Sequence, residues 1–175
     1  MHKKGGASLY ETKGFFVNAS LLGSAWTIDD LDIDTESGGG AGLKLGYNFS
    51  TYFGVFTSLD AAIISSDEDD ENEYVLGHFD IGLQGIFRPA TARFRPFLRA
   101  SLSGMSAQDD DVEINGAGFG LGGGALIFLT RSLAFDINYT HGLIDLSEVK
   151  FGSETFDIDE SATTGRLFVG LSWFF

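Results

Sequence analysis

The stretch RLFVGLSWFF at positions 166–175 puts Leu167, Val169, Leu171, Trp173 and Phe175 at every second place. Residues two apart share one side of an extended chain, so this pattern describes a strand with a single apolar face. Between them lie Arg166, Gly170 and Ser172, polar or small, although Phe168 and Phe174 depart from the rule. Nowhere does the sequence approach the ~18 consecutive apolar residues of a membrane helix. If it crosses a membrane, it must do so with strands, in which every second residue is free to be polar.

The same alternation recurs along the chain. Strand 1 is expected over 14–25, with Phe15, Val17, Ala19 and Leu21 on one face. Strand 2 (40–49) sets Ala41, Leu43, Leu45, Tyr47 and Phe49 against Gly42, Lys44, Gly46 and Asn48. Strand 3 (53–64) opposes Phe53, Val55, Leu59 and Ile63 to Ser58 and Asp60; strand 4 (74–87) opposes Phe79, Ile81, Leu83 and Phe87 to His78, Asp80 and Gln84. Strands 5 (97–106) and 6 (116–128) continue with Leu98, Ala100 and Leu102 against Arg99, and Phe119 and Leu121 against glycines. Strand 7 begins at Leu133 and places Phe135, Ile137 and Tyr139 against Asp136 and Asn138; the terminal strand completes the set. Eight strands alternating with four long loops and three short turns predict an all-β, eight-stranded antiparallel up-and-down transmembrane β-barrel. Long loops then share one rim, and the turns and both termini share the other. A single domain (14–175) follows an N-terminal arm (1–13) whose basic start lacks the apolar core of a complete signal peptide.

Charge placement follows this map. Of 25 acidic residues, 21 fall in the four long loops (26–37, 65–73, the segment around 109–113, and 142–162), with Lys150 the one base there. The arm and turns carry Lys3, Lys4, Lys13, Arg88, Arg93, Arg95 and Arg131 against Glu11. Three acids and three bases remain on polar strand faces: Asp60, Asp80, Asp136, Lys44, Arg99 and Arg166. A net charge of −14 would repel phosphates and sets nucleic acid aside as a partner. With no cysteine, the chain has neither disulfides nor a thiolate metal site.

A soluble eight-stranded barrel also alternates, but with grease inside and charge outside. Here the polar face is rich in glycine and serine and its charges balance, as expected of side chains packed against one another, since an unpaired ion in a narrow interior is costly. The apolar face is aromatic near the short-turn rim, where Tyr47, Phe49, Phe53 and Phe87 would form an interfacial girdle.

On the GLSWFF ending, with FGLGGGALIFL and SLAFDINYTHG before it, the chain from residue 14 onward resembles the small bacterial outer-membrane β-barrel superfamily, the group of the OmpA transmembrane domain, OmpX and OmpW. The resemblance implies a bacterial outer-membrane location with long loops extracellular and termini periplasmic. It further implies contact with membrane lipids and lipopolysaccharide, a monomeric state, and an assembly signal (Leu171, Trp173, Phe175) read by the barrel assembly machinery. It covers the barrel alone, so the peptidoglycan-binding role of full-length OmpA is not carried over.

The six interior charges are expected to form a network that plugs the lumen, because eight strands leave room for side chains and little else. Asp136 is expected near Arg166, Lys44 near Asp60, and Asp80 towards Arg99. A narrow or gated pore for ions or small apolar solutes is the rival. Carboxylate clusters at 67–71 and 109–111 suit weak, nonspecific association of divalent cations. Asp30, Asp32 and Asp34 open like a calcium loop, but Thr35 and Ala41 stand where glycine and glutamate are needed, so no metal site is assigned. No cofactor is expected. Some barrels modify lipid A with Ser and His, but His2, His78 and His141, with Asp145 and Ser147 near the last, form no spacing that enforces a triad, and no catalytic residue is assigned.

Overall fold

The computed structural model describes residues 10, 12–28, 35–65, 73–109, 112–151 and 154–175. They form eight strands: β1 Gly14–Ile28, β2 Glu36–Asn48, β3 Phe53–Ser65, β4 Glu73–Ile86, β5 Phe94–Gln108, β6 Val112–Phe128, β7 Leu133–Phe151 and β8 Glu154–Phe174. Each pairs antiparallel with its sequence neighbours, and β1 closes on β8 with Ala19 opposite Leu171, giving a closed barrel. Closure leaves no sheet edge along the wall, the condition for a sheet to sit in hydrocarbon.

Accessibility alternates with period two, and its polarity is inverted relative to a soluble protein. On β3 Leu59 is 62% exposed while Asp60 beside it is 6% exposed. Leu21, Leu43, Phe79, Leu102, Phe119, Ile137 and Leu171 all face outwards. Water would exact a penalty for such a wall, but lipid does not.

Three features depart from the expected map. First, β7 and β8 run for 19 and 21 residues, about twice the ~9–11 needed to cross a bilayer. The expected fourth loop (142–162) is therefore mostly a hairpin, with Phe151 opposite Glu154. Its acid content suggested a loop, yet Ile144 and Leu146 point inwards and Asp145 and Ser147 outwards, as a strand requires. Bulges at Asn115/Gly116 and Leu146/Glu148 shift the register as β6, β7 and β8 rise above the barrel. The third loop shrinks likewise: Asp109 and Val112 exchange backbone hydrogen bonds, and Glu113 lies in a strand. Trp26, expected in the first loop, is a buried residue of β1.

Second, the interior is layered rather than uniformly polar. Leu22, Trp26, Ile64, Leu76, Ile144 and Leu146 form an apolar layer towards the long-loop end. Phe16, Phe56, Phe97, Phe128 and Phe174 form another towards the short turns. Inward glycines make room for these rings, since a Cβ on Gly46 would lie 2.3 Å from the Phe16 ring and one on Gly82 2.8 Å from Phe56.

Third, Arg95 is not a rim charge. It points into the barrel, is fully buried, and donates hydrogen bonds to Thr12 Oγ1 (2.9 Å) and the Thr51 carbonyl (2.6 Å). Its place in the alternation of β5 accounts for this: it shares the inward, odd-numbered face with Phe97 and Arg99. The end of the N-terminal arm enters the same opening, where Tyr10 packs on Phe128 with ring centroids 5.1 Å apart.

Candidate functional site: the lumen belt and the outer mouth

Between the two apolar layers lies a belt of buried charge. Arg166 on β8 reaches across the barrel to β3 and β4. Its Nη1 lies 2.9 Å from Asp60 Oδ2 and 2.8 Å from Asp80 Oδ2, and its Nη2 donates to Asp80 Oδ1 at 3.1 Å. The fork of the guanidinium matches the two carboxylate oxygens, the strongest form of such a pair. Asp80 also accepts hydrogen bonds from Ser58 (3.3 Å), Ser101 (3.2 Å) and Ser103. His78 Nδ1 is 3.2 Å from Asp60 Oδ1.

A second group centres on Asp136, which takes hydrogen bonds from Asn138 (2.7 Å), Ser172 (2.9 Å) and Asn18 (3.4 Å), with Arg99 Nη2 at 3.5 Å. Arg99 stacks over Phe97 at 4.1 Å and donates to Gln84 at 3.3 Å. From there a polar chain descends through Gln84 to Asn48 (2.7 Å) and on to the Thr12 carbonyl (2.7 Å), where Arg95 joins it. Lys44 Nζ is held between the rings of Phe56 and Phe168, 5.6 Å from each centroid, a cation–π arrangement.

All six expected belt residues thus face the lumen, but their partners differ from those expected. Asp136 lies opposite Gly170, and Arg166 opposite Thr140, so the two are separated along the hairpin and do not pair. Lys44 lies opposite Ser58 and makes no ion pair with Asp60, which Arg166 takes instead. Arg99 binds Asp136 rather than Asp80. In a narrow tube a long arginine reaches across the axis as readily as along the wall, which adjacency in sequence does not reveal. His78, on the polar face of β4, is buried beside Asp60.

The belt is tightly packed. A void of about 10 Å³ bounded by Lys44, Phe56, Asp80, Arg99 and Phe168 holds one water at most.

Above the outer apolar layer the barrel opens into a cavity of about 290 Å³. The apolar Ile28, Val112 and Ile114 line it together with Trp26, Tyr74 and Glu36. Trp26 Nε1 donates to Tyr74 OH, which donates to Glu36 Oε2. Tyr74 stands at the outer rim, one residue above Val75, the last outward apolar residue of β4. Burial, then the Glu36 carboxylate, push its phenol well above the usual value, so it remains a donor. Tyr74 and Glu36 were not singled out in the sequence, where Glu36 reads as one loop acid among many.

The other expected residues are placed as follows. Tyr47, Phe49, Phe53 and Phe87 are exposed on the outer wall towards the short-turn rim. Leu171, Trp173 and Phe175 also face outwards; the rings of the last two stack at 6.4 Å, and Phe175 N donates to the Phe15 carbonyl. His141 is exposed on the outer wall, and Asp145 lies four residues on along the same strand, roughly 13 Å away at strand spacing, so they form no catalytic pair. His2, Asp30, Asp32, Asp34, the 67–71 cluster, Asp110 and Asp111 lie outside the described residues. Among the described residues no group of three or more His, Cys, Asp or Glu side chains could hold a metal ion.

A closed eight-stranded wall with grease outward and a paired ionic belt within defines a small integral barrel of the bacterial outer membrane. The outer membrane protein beta-barrel domain matches residues 7–175, and the chain belongs to that family. No curated protein matches the sequence significantly. Among solved structures it is similar to Neisserial surface protein A (16% identity, 93% of this chain and 98% of that one, TM-score 0.68). It is also similar to OprG from Pseudomonas aeruginosa (11%, 95% and 97%, 0.62) and to Ail of Yersinia pestis (15%, 92% and 99%, 0.55). At these identities the likeness is one of fold.

Proposed function

We propose that this protein is a sealed, monomeric outer-membrane scaffold that acts through its outer face and conducts little or nothing through its lumen. The observation that carries this reading is the belt: Arg166 tied to Asp60 and Asp80, Arg99 to Asp136, with apolar layers above and below. To conduct, the barrel would have to separate these pairs in a low-dielectric interior, at a cost of about 3–5 kcal/mol for each pair broken. Wild-type protein in planar bilayers should therefore show no steady single-channel openings. Steady openings, blocked when Ser58→Phe fills the lumen, would establish the pore instead.

Acid-rich outer segments suit cationic ligands, including weakly held divalent ions beside anionic lipopolysaccharide. Ail has been solved with the heparin analogue sucrose octasulfate, a polyanion; the negative outer face proposed here would repel such a ligand. Tyr47, Phe49, Phe53 and Phe87 serve as the girdle at the inner interface, and Leu171, Trp173 and Phe175 as the assembly signal. No enzymatic role is proposed, since His141 faces the lipid and His78 is enclosed with Asp60.

A further inference from the structure

We propose that the outer-mouth cavity is a binding site for an amphipathic organic cation, with its ammonium head against Trp26, Tyr74 and Glu36 and its apolar body against Ile28, Val112 and Ile114. This deepens the outer-face reading above by naming a ligand class, and it rests on that reading.

Several observations converge on this chemistry. The cavity, at about 290 Å³, lies at the small end of the ~300–1,000 Å³ range of small-molecule sites. Its floor is the apolar layer above the ionic belt, so a molecule that enters from outside has no polar path onwards. Two aromatic rings meet edge to face on one wall, Trp26 and Tyr74, with centroids 6.3 Å apart and planes at 72°. Rings set at such an angle surround a rounded cation on two sides, and alkylated ammonium groups are the ions that aromatic walls hold best.

Glu36 supplies the formal charge. One of its oxygens takes the Tyr74 hydroxyl, and a carboxylate retains further acceptor positions for an ammonium group. Because the Trp26 N–H and the Tyr74 O–H are both engaged, this wall has no spare donor among these three side chains with which to greet an anion. The field outside favours the same sign. Asp109 lines the cavity along with Glu36, and Glu73 precedes Tyr74 on β4. Cations are thereby concentrated at the mouth and anions are turned away.

The test uses protein folded in a maltoside detergent, which carries no ammonium group, with Trp173→Phe so that Trp26 is the sole tryptophan. Phenyltrimethylammonium is titrated while Trp26 fluorescence is followed, in parallel with tert-butylbenzene, its uncharged isostere. Saturable binding of the cation at least about tenfold tighter than the isostere is expected, weakened by roughly that factor in Glu36→Gln and abolished when Ile114→Phe fills the cavity without adding a second tryptophan. Heat-modifiable gel mobility verifies that each variant is folded. Equal binding of the two compounds, or an unchanged affinity in folded Glu36→Gln, would overturn the proposal, as would no saturable response. Conductance is scored separately: a conducting barrel that still binds the cation defeats the sealed-lumen reading alone, and a silent barrel without binding defeats this one alone.

Discussion

At the scale of single residues, Arg166 is the most exacting side chain in the molecule. It is almost fully buried and serves two carboxylates, so Arg166→Leu strands both Asp60 and Asp80 in the lumen. We expect a loss of about 3–5 kcal/mol, read as a lower urea midpoint for unfolding from lipid vesicles. Gly46 makes the opposite demand, for absence. A Cβ there meets the Phe16 ring at 2.3 Å and the Val55 carbonyl at 2.6 Å, and Gly46→Ala should cost about 1–3 kcal/mol by overpacking. Combined with Phe16→Leu it should cost less than the two changes added, because the ring no longer fills that space. That Asp60, Asp80, Asp136, Lys44, Arg99 and Arg166 face inwards was legible from their places opposite the apolar residues of their strands. Which acid meets which base was not, because pairing depends on hairpin register and on reach across the axis. A slip of four residues separates Asp136 from the position that would have faced Arg166.

At the scale of elements, the β6–β7–β8 extension carries its own pH dependence. Glu113 accepts a hydrogen bond from Asn115 (2.7 Å) and pairs with Lys150 at 3.3 Å, and these hold its carboxyl below the ordinary 4.5. A depressed carboxylate stabilises the folded form above its unfolded pKa, and that support fades as pH falls through the folded value. Amide protection at 112–115, taken relative to the intrinsic exchange rate at each pH, should therefore fall on acidification from about pH 6 to pH 3, with the barrel wall unaffected; Lys150→Met should blunt the change. Both groups are solvent-exposed, so added salt should blunt it too. This extension was the least legible part of the fold. The alternation of Ile144, Leu146 and Ile158 was present, but acids at Asp145, Glu148, Glu154 and Asp157 made the segment read as a loop. Strands that rise out of the bilayer are free to carry charge on their outer face, so charge density alone does not mark where a barrel strand stops.

At the scale of the whole molecule, polarity is turned inside out, and the solvent must match. Transfer from urea into lipid vesicles or detergent micelles should yield a β-rich circular dichroism spectrum and a folded band of altered gel mobility, whereas dilution into plain buffer should yield aggregate. The architecture was legible because it rests on the simplest of sequence signals, a period of two sustained across the chain. The layering of the interior was not, since Phe16 and Phe56 stand on the polar side of the alternation, where Gly46 and Gly82 on the neighbouring strands leave room for their rings.

The span of Arg166 across the barrel has one more consequence. Alternation by itself detects a misalignment of one residue, because every side chain then faces the wrong way, but a misalignment of two leaves inside and outside intact. Moving β8 by two places against β1 and β7 would carry the guanidinium roughly 7 Å along the axis, away from Asp60 and Asp80. The last strand to be made thus brings with it a check on its own docking, and only one seating of the seam satisfies it.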